Sequence, residues 1–132
     1  MSLHVDLHSE ERIKTTNEMY LKAILILQQE NGEARATDLA NVLGIKKSSV
    51  SEMLKRLSEQ GDINYAAFKP IEFTPKGKKK ANKIFKKYDV FKSFLEDFLS
   101  IPNAHDEACL LEHAASLETV EKLESYMKKK GV

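Results

Sequence analysis

The 132-residue sequence has no tryptophan, one cysteine, three prolines and five glycines. A single cysteine, Cys109, cannot close an internal disulfide, so its thiol is left as a packing residue, a reactive group or a metal ligand. The scattered prolines and glycines form no low-complexity linker. No apolar run approaches the roughly 18 residues that mark a membrane span, and a mean hydropathy of −0.43 suits a globular chain. The opening Met-Ser-Leu-His-Val-Asp-Leu-His lacks the basic segment and small-residue cleavage pattern of a secretory leader. A cytoplasmic protein with no membrane partner is the expectation. Glycine-rich phosphate loops, paired-carboxylate clefts and Ser/His/Asp sets are missing too, which disfavours an enzyme.

What is present is charge of both signs, unevenly placed. The formal net charge is only +1, but residues 69–92 carry nine lysines against two acids, a net of +7. Residues 96–124 carry eight acids against Lys122, a net of −7. Such an asymmetry predicts one half that faces a polyanion and another that faces elsewhere.

Apolar spacing at Tyr20, Ala23, Ile24 and Leu27 predicts an amphipathic helix over 18–29, with Thr15 or Thr16 as N-cap and Asn31-Gly32 as its end. A short helix is predicted over 38–43, capped by Thr37, with Leu39, Val42 and Leu43 inward and Gly44 as its stop. A third should begin near Ser48 or Ser49 and reach about Gln60. Two short helices joined by a glycine turn make a helix-turn-helix. Ile63, Tyr65, Ile71 and Phe73, alternating with Asn64 and Glu72, predict a two-stranded wing. Thr74-Pro75 then starts a long helix over about 75–99, and Ile101-Pro102-Asn103 breaks it. Two shorter helices follow, about 106–115 and 117–129, the last capped by Ser116 and closed by Gly131.

In a winged helix-turn-helix the second helix enters the major groove, and its N-terminal residues touch base edges. Here those residues are Lys46, Lys47, Ser48 and Ser49, then Ser51, Glu52 and Lys55, with Lys69 on the wing and Lys76 on the next helix. Lysines donate to phosphates, while small hydroxyls permit close approach of a helix N-terminus. A bare lysine run is usually a solvated helix face. Its position beside a helix-turn-helix favours double-stranded DNA instead.

Cys109, Glu112 and His113 stand at i, i+3 and i+4, so a helix carries all three on one side. On spacing alone, such residues are more often core and surface residues than metal ligands.

The order of elements and several strings resemble the diphtheria toxin repressor family of iron- and manganese-dependent regulators. The strings are Thr15-Thr16 with Glu18-Met19-Tyr20-Leu21, the segment 34–61, Thr74-Pro75-Lys76-Gly77, and His105-Asp106-Glu107-Ala108-Cys109 with Glu112-His113, together spanning about residues 15–116. The resemblance implies a mainly α fold: a winged helix-turn-helix DNA-binding domain over 1–74, then a helical metal-binding and dimerisation domain over 75–132. It also implies that Met19, Cys109, Glu112 and His113 hold one divalent ion per subunit. Manganese-selective members look like Asp and Glu at the Met19 and Cys109 positions, so the sequence sides with iron. Thiolate, thioether, imidazole and carboxylate together suit Fe2+, Co2+, Ni2+ or Zn2+ better than Mn2+.

His105 fits one position of the family's ancillary metal site, but Tyr88 and Lys92 replace a histidine and a glutamate there. One site per subunit is therefore expected, in a short form without the SH3-like domain. His4, Asp6 and His8 could bind metal adventitiously. The predicted function is a metal-dependent transcriptional repressor whose bound ion orders a homodimer for operator DNA. Its rivals are a metal-independent winged-helix regulator sensing a small organic ligand, and an enzyme with Cys109 as nucleophile and His113 as base. Leu110, Leu111, Leu117, Val120, Leu123 and Met127 make the acidic C-terminal region the natural dimer surface.

Overall fold

The computed structural model describes residues 9–130, with side chains from Thr16 onward; His4, Asp6, His8 and Gly131 lie outside them. The chain is mainly helical, in the order α1 (Ser9–Asn31), α2 (Ala36–Leu43), α3 (Lys47–Glu59), β1 (Ile63–Asn64), β2 (Glu72–Phe73), α4 (Pro75–Ser93), a π-helical turn (Phe94–Phe98), α5 (His105–Ala114) and α6 (Leu117–Lys129). It divides into two compact units between Asn82 and Lys83, inside α4. This mainly α winged fold is the one the sequence predicts.

The first unit is the helix-turn-helix and its wing. Helix α1 starts at Ser9, well before the predicted N-caps, so Thr15 and Thr16 lie within it. The run 9–14 contains neither glycine nor proline to stop a helix. Thr37 likewise falls inside α2. The cap position belongs to Arg35, whose backbone N–H donates to Asp38 Oδ2 at 3.0 Å. Gly44 ends α2 with φ +65, a left-handed conformation that costs glycine little. Val42, expected inward, is 62% exposed, because Leu39 alone on that short helix reaches the core. Buried Leu21, Ile24 and Leu25 of α1, Leu39 of α2, and Val50, Met53, Leu54 and Leu57 of α3 form the apolar interior, to which the wing adds Ile63 and Ile71.

The wing is shorter than its alternation suggests. Only Ile63↔Phe73 and Asn64↔Glu72 pair, antiparallel. Beyond them the backbone turns to other partners: the Ile71 N–H donates to Ala34 O at 2.8 Å, and Gln28 Nε2 donates to Ile71 O at 3.1 Å.

At the wing base Thr74 closes the loop. Its N–H donates to Asp62 O at 3.1 Å, its hydroxyl donates to Gly61 O at 2.6 Å, and it accepts from Gly77 N at 3.1 Å. Asp62 is buried, and its carboxylate takes Lys80 Nζ at 3.1 Å, with Lys76 Nζ at 3.9 Å. A buried carboxylate needs such partners. Asp62→Asn, which keeps the size and removes the charge, should lower unfolding stability by about 1–3 kcal/mol in urea titration; an unchanged midpoint would mean the lysines add nothing.

In the second unit Ile84, Tyr88, Val90, Phe91, Leu95, Ala104, Ala108, Val120 and Met127 are buried. The long helix predicted to about Leu99 loses α geometry at Phe94, where Leu99 N donates to Phe94 O at 3.2 Å across a widened turn. The Phe94 and Phe98 rings stack there, 5.9 Å between centroids. Ile101 N then donates to Leu95 O at 2.9 Å, and Ala104 N to Glu96 Oε2 at 3.2 Å, carrying the chain into α5. Ser116 caps α6 as predicted, accepting from Thr119 N at 3.1 Å.

Candidate metal centre and DNA-facing surface

Helix α5 begins at His105, and its register turns Ala108 and Glu112 to the interior. Glu112 is only 1% exposed and the His113 side chain 17%, with His113 Nδ1 at 3.1 Å from Glu112 Oε2. Burying a carboxylate costs several kcal/mol unless a cation or strong donors face it. A carboxylate oxygen beside an imidazole nitrogen is a donor pair that fits a divalent transition metal, so this part of the predicted set is chemically suited to an ion.

Cys109 is half-buried, and its Sγ lies 3.7 Å from His105 Nε2, one helical turn earlier. The other ring nitrogen of His105, Nδ1, is 2.6 Å from the Tyr88 hydroxyl. Within α5 the predicted ligands thus fall into two neighbouring pairs, Glu112 with His113 and Cys109 with His105. Tyr88, which departs from the family's ancillary-site pattern, holds His105 by a hydrogen bond. That bond joins residues 17 apart, and its one cue in the sequence is a phenol on α4 in place of a ligating histidine.

On α1, Met19 is 39% exposed, and Glu18 beside it is half-buried. Glu18 is a carboxylate donor that the sequence reading passed over, although it stands in the quoted Glu18-Met19 string. Lys22, one turn on, is buried at 5% exposure.

The DNA-facing candidates sit where α3 begins. Lys46, Lys47, Ser48 and Ser49 are exposed at its N-terminus, Ser51 is half-buried, and Glu52 and Lys55 are exposed one turn further. Lys69 is exposed on the wing loop. Lys76 is exposed as well, but its Nζ donates to Gln60 O at 2.8 Å, so the structure gives it a role in the wing base. Between α2, α3 and the wing lies a cavity of about 260 Å³ lined in part by Arg35, Thr37, Lys47, Ser51, Tyr65 and Lys69.

Residues 12–69 match the model of the iron dependent repressor N-terminal DNA binding domain, and residues 74–130 match that of the iron dependent repressor metal binding and dimerisation domain. The chain belongs to the iron dependent repressor family. That family consists of metal-dependent transcriptional repressors, not enzymes. The chain is 41% identical over 115 residues to an uncharacterized HTH-type transcriptional regulator of Methanocaldococcus jannaschii, covering 85% of this chain and 92% of that one. It is 30% identical over 115 residues to the diphtheria toxin repressor of Corynebacterium diphtheriae, covering 86% of this chain and 51% of the repressor. Among solved structures, a manganese-dependent transcriptional repressor in complex with manganese aligns at TM-score 0.75 and 26% identity, over 85% of this chain and 52% of its own. The chain thus spans about half the length of that solved repressor and of the diphtheria toxin repressor. The resemblance read from residues 15–116 is the one these matches show. The small antiparallel sheet after α3 is the wing of the family's DNA-binding domain.

Proposed function

We propose that the chain represses transcription by binding operator DNA as a homodimer, under control of one divalent ion per subunit. In this reading Glu112 and His113 hold the ion with Cys109, and α1 supplies Met19, with Glu18 as a further oxygen donor. The observation that carries the reading is the buried Glu112 carboxylate with the His113 imidazole at 3.1 Å. A bound ion supplies a fixed positive charge there. The residues' own part is to bring the DNA-reading half and the half that pairs subunits under one constraint, so that two copies of α3 are spaced for successive major grooves, about 34 Å apart.

The donor set supports Fe2+ as the physiological ion, because thioether and thiolate favour softer metals. The solved repressor that aligns with this chain holds manganese, so Mn2+ is the principal rival. Exposed Leu110, Leu111 and Tyr126 give the second unit an apolar face for a second copy. Val120 and Met127, grouped with those leucines in the sequence reading, are buried within the chain. As a DNA-binding regulator it would act in the cytoplasm.

The test is anaerobic DNA binding with Fe2+, Mn2+, Co2+ and Zn2+ in turn, on duplexes enriched from a random pool by the protein itself. Affinity should rise with metal and fall in chelator. Full affinity in chelator would favour the metal-independent regulator. Replacing Lys46 and Lys47 together by alanine should weaken binding and reduce the slope of log K against log salt by about 2. If the slope holds, those lysines do not face phosphate.

A further inference from the structure

The wing tip carries Phe68, 90% exposed and in a left-handed conformation at φ +65. Both features are unfavourable in isolation. An aromatic ring in water forgoes burial, and a bulky residue at positive φ is strained. The surroundings hold it there nonetheless. Arg35 Nη1 donates to the Phe68 carbonyl at 2.9 Å, Lys69 N donates to Ala66 O at 3.2 Å, and Lys47 Nζ stands 5.9 Å from the ring centroid. The ring also lines the cavity between α2, α3 and the wing, whose rim carries Arg35, Lys47 and Lys69.

We propose that Phe68 is a minor-groove contact of the DNA complex, its ring packing on the deoxyribose walls beside the segment read by α3. The inference rests on the DNA-binding reading above and adds a contact it does not contain. Lys47 and Ser51 mark the α3 side of the cavity and Phe68 the wing side. With α3 in the major groove, a sugar-phosphate strand laid in this cationic cavity has its phosphates among Arg35, Lys47 and Lys69. The next surface across that strand is the minor groove, where proteins insert apolar side chains. Charge complementarity selects DNA over an apolar protein partner: every ionisable side chain lining the cavity other than Tyr65 is a cation.

The test uses the full chain, metal-loaded, and a fluorescently labelled mixed-sequence duplex at low salt, since packing on sugars is sequence-tolerant. Phe68→Ala should weaken binding roughly tenfold or more with the salt slope unchanged, because no charge is lost. Phe68→Gly, which also relieves the positive φ, should bind as poorly while melting at or above the wild-type temperature. Netropsin, a minor-groove ligand, should compete with the wild type and cost the Phe68→Ala variant little further. If Phe68→Ala binds as tightly as wild type while Lys47→Ala weakens binding, the ring faces something other than DNA and this inference falls alone. Loss of affinity with no netropsin competition would place the ring outside the minor groove and also overturn it. Should neither variant alter binding, the DNA role of the whole α3 surface fails.

Discussion

Glu112→Gln is expected to abolish the stimulation of DNA binding by metal. The substitution keeps the side chain's shape and removes the one charge that is fully buried on α5. A carboxylate ligand contributes both an oxygen and a negative charge to a divalent site, and loss of even an outer-sphere partner commonly lowers metal affinity about 10–100-fold. Coupling between metal and DNA of about 1–3 kcal/mol corresponds to roughly 5–150-fold in DNA affinity, and the variant should bring that factor close to one. A second readout separates ligation from misfolding. Saturating Mn2+ or Fe2+ should raise the melting temperature of the wild type, because an ion that binds only the native state adds about 2.7 kcal/mol at a hundred times its dissociation constant. In Glu112→Gln the metal-induced rise should vanish while the metal-free protein still melts cooperatively. His113→Ala should behave alike. Metal stimulation that survives both substitutions would remove this pair from the site.

How far such a site is legible in sequence depends on which physics sets it. The spacing of Cys109, Glu112 and His113 at i, i+3 and i+4 is fixed by helical geometry, and the structure places all three on α5. Their different depths were not legible. Glu112 is buried and Cys109 only half so, because the rotation of α5 is set by Ala104 and Ala108 packing inward. The Tyr88 hydroxyl on His105 depends on a contact between residues 17 apart, which no local pattern encodes.

The same division runs through the fold. Gly44 and the Ser116 cap were readable because a turn's φ and a cap's hydroxyl are local requirements. The start of α1 and the cap of α2 were misread because Thr15, Thr16 and Thr37 are acceptable caps that the surrounding chain does not use. The π-helical turn at Phe94 was invisible to a pattern of period 3.6, since one widened turn near a helix's end leaves the apolar spacing before it unchanged. The exposure of Phe68 is a property of the wing's shape rather than of its neighbours in sequence.

Gly77→Ala is the substitution expected to damage the fold most. Gly77 is inside α4, a position where alanine would ordinarily favour the helix by about 1 kcal/mol. Here the sign reverses. A Cβ at Gly77 would overlap the carbonyl oxygen of Asp62 and lie 2.6 Å from its carbonyl carbon and 2.9 Å from its Cα. The obstacle is backbone, so no side chain can swing aside to make room. Either the first turn of α4 or the approach to β1 must move, and both belong to one network. The Asp62 carbonyl accepts from Thr74 N, and its carboxylate binds Lys80. Overpacking alone costs about 1–3 kcal/mol, and a displaced Thr74–Asp62 bond adds about 1 kcal/mol. Together these exceed the gain in helix propensity and should lower the melting temperature by roughly 5–15 °C. The damage should be local in kind. Glu112 and His113 belong to the second unit, so the metal-dependent rise in melting temperature should persist while DNA affinity falls with the wing's position. A variant that melts at the wild-type temperature would show that α4 accommodates the methyl group by a shift the wing base tolerates.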